Sequence, residues 1–387
     1  MSESQTDSGP SPRLAHLDRL KILLTAGVIV AHAAMSYGAS GTWKYEEDSL
    51  SPATGLVLSA LVGGGVLFVL GLFFLIAGML TTGPLGRRGP RQFLVSRLWR
   101  LGVPVLVYAV VFWPMLGWLV DEVQGDAPTP FAVYRHLFSA GGWLTLEIGP
   151  MWFVAVLLVI TVGWCLWRWR VPAGPARLSP GATALVAGAA VAVGTFVVRL
   201  GFPINSDQFL DLHVWIWPQS VVLFVLGAVG AEQGWIWSVP RHVLRGCRVA
   251  VLGAVALFVA LVLTSDGPDA FMGGWHREAA GWAVCEGAVS VGVSLLVLDW
   301  CRRHVVAHGR VEHSAARAAY GAFVAQGPVL VVGALLLRGL DLPGDLKFVL
   351  LALIGVLGSF ACGFAAVRVG ARLSSRKEAR RLTGAGA

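Results

Sequence analysis

Charge is what this chain has least of. Asp, Glu, Lys and Arg make up 13% of its 387 residues, against roughly 25% in an ordinary soluble domain. A soluble fold of this length needs more charge to cover its surface, so most of the surface must face something other than water. The five cysteines (Cys165, Cys247, Cys285, Cys301 and Cys362) avoid the segments expected to face outward, which excludes a disulfide framework. They also lack the paired spacing of a zinc site. No Walker A pattern, HExxH pair or G-x-S-x-G elbow occurs. Zinc-finger, helix-turn-helix and RNA-binding signatures are absent as well, so the formal charge of +8 is no argument for a nucleic-acid partner. No repeat of 20–50 residues is present and the two halves show no symmetry, which removes solenoids and counts against a repeat-built transporter.

What the chain has instead is apolar length. Hydrophobic residues reach 56% and the mean hydropathy is +0.70. A membrane helix needs about 20 mostly apolar residues. Such runs lie near 17–39, 56–80, 101–120, 149–167, 180–199, 211–230, 248–265, 279–298, 319–338 and 346–369. They do not alternate apolar with polar as barrel strands do. The reading is an all-α polytopic membrane protein of about ten transmembrane helices, spanning 17–370. A polar tail, 1–16, expected to be disordered, precedes it and a basic tail, 371–387, follows. A cleavable leader is the rival for the first span, since Ala31-His32-Ala33 resembles an A-x-A cleavage site. Pro104, Pro114, Pro218 and Pro328 fall within spans and mark expected kinks. Gly63-Gly64-Gly65 reads as a close helix contact.

Basic residues collect on the cytoplasmic side of a membrane protein. With the N-terminus inside, the cytoplasmic segments hold 24 of the 30 Lys and Arg but seven of the 22 Asp and Glu. The outer segments hold six bases and fourteen acids; the last acid, Glu286, lies within a span. Every connection fits this alternation, so both termini are expected in the cytoplasm and the chain in the cell membrane. The partner this implies is the lipid bilayer.

Ionisable side chains inside a membrane are costly and are functional candidates by default. Two stand away from span ends. His32 lies about 22 Å from the cytoplasmic edge, by the 1.5 Å rise of a helix. Lys21, Thr25, His32 and Ser36 fall on one face at 100° per residue. That stripe suits a cavity or the bundle interior; the plainer reading is a histidine bonded to a neighbour for packing, with Lys21 a snorkelling interface lysine. Glu286 lies about seven residues, or roughly 10 Å, in from the outer end of its span, and His32 counted from that outer side is at a similar depth, so a His32–Glu286 pair is expected, with the carboxylate orienting the imidazole. The plainer alternative is a protonated Glu286 bonded within its own helix layer. Arg97 and Arg100, three residues apart at a cytoplasmic span entrance, suit phosphate, although lipid headgroups explain most arginines in such places.

In their order these residues resemble the acyltransferase-3 family of integral membrane acyltransferases. Leu17-Asp18-Arg19-Leu20-Lys21 followed by His32 is similar to its basic residue, ten residues, then histidine. Gly71-Leu72-Phe73-Phe74-Leu75-Ile76-Ala77-Gly78 is similar to its FF-x-I-S-G segment, with Ala77 for Ser. Arg97 to Pro104 is similar to its R-x-x-R-hydrophobic-x-x-P segment. Met151-Trp152-Phe153, Trp217-Pro218-Gln219 through Gly227, and Trp282 with Glu286 match more weakly. One departure stands out. Where many relatives carry a tyrosine and then a histidine in the ninth span, this chain runs from Tyr320 to Gln326.

The resemblance implies transfer of an acyl group, often acetyl, from acyl-coenzyme A to a hydroxyl of a carbohydrate or small-molecule acceptor, with no metal. Acyl transfer needs a base for the hydroxyl proton and help for the developing oxyanion. An imidazole of unperturbed pKa about 6.5 is mostly neutral near pH 7. His32 is the expected base and Glu286 its orienter. Arg97 and Arg100, with Lys21, would hold donor phosphate, and the pantetheine arm would cover the distance to His32. Gln326, Tyr320 and Trp152 are the expected substrate contacts, and the outer-loop residues Trp43, Tyr45, Asp121, Glu122, Trp143 and Asp207 are available to a sugar, although exposed loop aromatics are usually interface anchors. The rivals are an exporter of a lipid-linked sugar or small metabolite and, given the Ala77 and Gln326 departures, a catalytically inactive scaffold or sensor.

Overall fold

A computed structural model describes residues 15–125, 129–138, 147–171, 174, 178–206, 208–304 and 310–384. The described residues contain helices and no strand. In lipid, a backbone with no water to bond must satisfy its polar groups internally, which a helix does. The helices are α1 (Ala15–Met35), α2 (Pro52–Val66), α3 (Val69–Arg88), α4 (Pro90–Gln124), α5 (Pro130–Leu137) and α6 (Trp152–Arg170). Then come α7 (Pro180–Gly201), α8 (Trp217–Gln233), α9 (Arg241–Thr264), α10 (Arg277–His304), α11 (Arg310–Arg338) and α12 (Gly344–Gly384). Among the described residues nine helical stretches, with α2 and α3 counted as one, are long and apolar enough to cross a membrane. The chain is a multi-pass membrane protein. The remaining expected span, α1, is a helix of 21 residues whose charged start (Asp18, Arg19, Lys21) sets it apart from those nine. The segment after residue 370 continues as helix to Gly384.

The chain forms two compact units, Met1–Leu58 with Trp300–Ala387, and Ser59–Asp299. In the first, α1, α11 and α12 pack on one another. Gly363 of α12 lies so close to α11 that a Cβ there would sit 2.4 Å from the Ala318 carbonyl oxygen. Small residues let membrane helices approach this closely, where dispersion and packing replace the hydrophobic effect.

In the second unit α3 crosses α8 through a reciprocal pair of glycines. A Cβ on Gly78 would lie 2.0 Å from the Phe224 carbonyl oxygen, and one on Gly227 would lie 2.1 Å from that of Leu75. The Gly71–Gly78 segment and the Trp217–Gly227 segment are thus two halves of one helix contact. The expected contact at Gly63-Gly64-Gly65 is corrected. A Cβ on Gly63 or Gly64 would meet nothing within 4 Å, and one on Gly65 would make an ordinary contact with Val69.

The prolines act in three different ways. α4 contains two π-helical turns, Leu98–Gly102 and Tyr108–Phe112. Each precedes a proline, Pro104 and Pro114. Proline has no N–H to give and its ring clashes with the carbonyl four residues back; the widened turn accommodates both. Pro218 is in the first turn of α8, where the missing N–H is one of the helix's unpaired donors anyway, so it begins a helix rather than kinking one. Pro328 lies inside α11.

Candidate functional site

His32 occupies the last turn of α1. Beyond Met35 the chain turns back at Gly38, whose φ of 112° favours glycine. A Cβ there would also lie 2.5 Å from an Asp48 carboxylate oxygen. The turn carries residues 39–51 back over the end of α1, and the Glu47 N–H donates to the Ser36 carbonyl at 2.8 Å. This brings Trp43, itself 9% exposed, flat against the imidazole, with ring centroids 4.1 Å apart and planes 18° apart.

Polar contacts to α12 fasten this cap. Lys347 donates to Glu47 at 2.9 Å and the Tyr45 hydroxyl donates to Glu47 at 2.8 Å. Ser51 gives its N–H and its hydroxyl to Asp345, and Thr54 donates to Asp345 as well. Burial works to raise the Glu47 carboxyl. The hydrogen bonds from Lys347, Tyr45 and Ser49 outweigh it and hold the group below the usual carboxylate range. Burial and the same carboxylate push the Tyr45 phenol well above its ordinary value.

The other partner of His32 comes from α11. Gln326 is fully buried, and its Oε1 lies 3.0 Å from His32 Nδ1. An amide oxygen accepts, so as the amide is placed Nδ1 carries the proton and donates. The imidazole is left with its lone pair on Nε2. The Gln326 Nε2 amine is buried and has no hydrogen-bond partner. His32 itself is part-accessible. Ser36, one turn on, gives its hydroxyl to the His32 backbone carbonyl at 3.2 Å, so it is not aligned with the imidazole as a nucleophile.

The hydrogen bonds that the structure gives His32 and Glu286 each lie within the group's own unit. Glu286 of α10 accepts from Arg199 Nη2 at 2.6 Å and from the Thr195 hydroxyl at 3.4 Å, both on α7. A carboxylate beside a buried guanidinium satisfies charge and hydrogen bond together; the orienting contact to the imidazole comes from the neutral Gln326 instead. Arg199 stands two residues from the end of its helix.

The remaining expected residues are placed as follows. Lys21 donates to Asp18 at 2.7 Å, one turn earlier, and Asp18 also faces His313 at 3.6 Å, so the Lys21 charge is engaged within its own helix. Arg97 and Arg100 lie at and just beyond the start of the first π turn of α4. Arg97 is half-buried with its guanidinium 5.0 Å from the Phe93 ring centroid, and Arg100 is exposed. Tyr320 is six residues before Gln326 on α11, or about 240° around the helix, and is 38% exposed. It therefore does not share the Gln326 face. Trp152 opens α6 in the other unit and stacks on His213, with centroids 4.6 Å apart. Trp143 and Asp207 lie outside the described residues.

Sequence reasoning placed Trp43 in a loop but not on the imidazole. Its proximity depends on the turn at Gly38, and no spacing rule encodes that. Sequence reasoning did not single out Arg199; the signal that could have found it is the single acid, Glu286, left within a span.

A protein-family model described as an acyltransferase domain matches residues 14–368, nearly the whole chain. Comparison with the curated proteins and with the solved structures finds no match.

Proposed function

The chain belongs to the acyltransferase-3 family, and from that premise we propose that it moves an acyl group from acyl-coenzyme A to a hydroxyl of a carbohydrate or related acceptor, with His32 as general base. The observation that carries the base assignment is the His32 Nδ1–Gln326 Oε1 contact of 3.0 Å. With Gln326 Oε1 as the acceptor, Nδ1 carries the proton and Nε2 is the nitrogen that can accept one.

In this reading Nε2 takes the hydroxyl proton as the acceptor oxygen attacks the thioester carbon. The C–S bond then breaks, and the departing coenzyme A thiolate takes the proton back from the imidazolium. The neutral amide of Gln326 holds the ring without trapping it in the charged form, as a carboxylate would, so the proton returns readily. Trp43 closes one face of the imidazole and keeps water from that side. Arg97 and Arg100 hold donor phosphates through charge-assisted hydrogen bonds. With the Lys21 ammonium paired to Asp18, we assign it no larger part than a supporting charge. The basic segments, and with them both termini, face the cytoplasm of a cell membrane.

The purified full-length chain in lipid nanodiscs, given acetyl-coenzyme A and hydroxyl acceptors, should release free thiol. A general base contributes about 10²- to 10⁴-fold, so His32→Ala should lose at least a hundredfold in rate while still binding acetyl-coenzyme A. A variant that transfers at the wild-type rate rejects His32 as base. Movement of a solute across the bilayer with no thiol release would point to a transporter instead.

A further inference from the structure

The Ser59–Asp299 unit holds a second polar cluster that the chemistry at His32 leaves unused. Arg199 is 3% exposed. Its Nη2 is spent on Glu286, yet its Nε and Nη1 are buried with no hydrogen-bond partner. A buried donor left unpaired costs about 1–3 kcal/mol, and an orphan in a native interior calls for a specific explanation.

Aromatic rings adjoin it. The Arg199 guanidinium lies 5.5 Å from the Trp215 ring centroid. Trp215 is 5.9 Å from His213, and His213 is stacked on Trp152. All three rings are half-buried. The backbone that presents them is held in an unfavourable shape: Leu210, Asp211 and His213 have φ of 57°, 50° and 47°. Non-glycine residues in the left-handed region cost of order 1 kcal/mol or more each, and such strain gathers at ligand sites.

Charge narrows what could bind. Glu286 already balances Arg199, so an anion would leave an uncompensated negative charge in the membrane interior and a cation would find its carboxylate engaged. The free N–H donors ask for neutral oxygen acceptors, and the half-open rings offer flat apolar faces. We propose that Arg199, Trp215, His213 and Trp152, with Glu286 and Thr195 holding the guanidinium in place, form a binding site for an uncharged, oxygen-rich ring. This site does not rest on the acyltransferase reading.

Isothermal titration calorimetry on the full-length chain in nanodiscs, without acyl-coenzyme A, tests the site. The probes are neutral methyl hexosides, the matching hexuronate and the matching amino sugar. At least one neutral hexoside should bind saturably, and at least tenfold more tightly than its charged counterparts. Binding should weaken at least tenfold in Arg199→Gln/Glu286→Gln, which removes both charges together, and in Trp152→Ala at the half-open edge, which serves if the double variant does not fold. No saturable binding of any neutral hexoside, equal binding of the hexuronate, or unchanged affinity in a folded variant overturns the site, with water then satisfying the arginine. Hexoside binding without thiol release in any acyl-coenzyme A mixture removes the acyltransferase reading and leaves the site standing. Thiol release without hexoside binding does the reverse.

Discussion

Replacing Gln326 puts the proposed chemistry under the most direct strain. Gln326→Leu keeps the volume of the buried side chain and deletes the amide that accepts from His32 Nδ1 at 3.0 Å. The imidazole then has two courses. It can keep its proton on Nδ1, unpaired and buried, at about 1–3 kcal/mol, or move the proton to Nε2 and lose the lone pair the reaction needs. Either way the competent form is depleted by about that energy, which is about 5- to 150-fold in kcat at 1.36 kcal/mol per decade. The donor KM should stay near its wild-type value, because the amide is assigned no contact with phosphate. Gln326→Glu separates orientation from charge. A carboxylate at this distance favours the protonated imidazole by one to three pH units. A base is active when unprotonated, so the acid limb of the kcat profile should move to higher pH by at least about one unit. Gln326→Leu should lower the profile without that displacement. Thiol release from acetyl-coenzyme A, followed from pH 5 to 9 in nanodiscs, reads both effects, and thermal unfolding checks that the variants fold. A Gln326→Leu enzyme within twofold of wild-type kcat, or a Gln326→Glu profile whose acid limb has not moved, would refute the assignment of Gln326 as the residue that positions His32.

Three further outcomes are expected. Each of Arg97→Ala and Arg100→Ala removes a charge-assisted hydrogen bond worth about 1.5–3 kcal/mol, so donor KM should rise by about ten- to 150-fold with kcat little changed; equal loss of kcat and kcat/KM would count against a phosphate role. The carboxyl of Glu47 lies below its ordinary value in the folded chain, so its contribution is complete above about pH 4.3 and is lost as the pH falls through the folded value. The cap over His32 should therefore loosen only in acid, seen as a change in Trp43 fluorescence against a Trp43→Phe reference, and Lys347→Met should move that change to higher pH. Gly78→Ala forces a methyl group to 2.0 Å from a backbone carbonyl and should cost at least the 1–3 kcal/mol of ordinary overpacking, lowering the unfolding temperature. Gly63→Ala, with nothing within 4 Å, should leave it unchanged or higher.

The helices were readable in advance because their cause is local. A run of about 20 apolar residues has few options in lipid, and among the described residues a helix overlaps every expected span, nine of the ten being long and apolar enough to cross a membrane. The motifs were readable as a set but not as chemistry. Gly71–Gly78 and Trp217–Gly227 turn out to be the two sides of one close helix crossing, and a sequence pattern does not distinguish a glycine kept for a neighbouring backbone from one kept for a ligand. The Gly63-Gly64-Gly65 run shows the same ambiguity from the other side. It has the composition of a contact and none of the neighbours.

The partners of the two membrane-interior acid–base groups were the least legible part, and the reason is physical. Depth along a helix follows from a count of residues, because rise is fixed at 1.5 Å. Which helix stands opposite, and at what rotation, depends on packing between segments far apart in sequence. His32 and Glu286 were matched by depth alone. The chain satisfies them separately, His32 with a neutral amide 294 residues away and Glu286 with a guanidinium 87 residues away. Charge bookkeeping could have raised the second pairing. A single uncompensated carboxylate in a membrane interior is expensive enough that an unassigned arginine near a helix end should be tried against it before being given to the interface. Applied to Arg199 that rule leads directly to Glu286. It also separates the two clusters by kind: the partner of His32 is a neutral amide, whereas that of Glu286 is a full countercharge, and in the proposed chemistry only the first would leave a proton free to move.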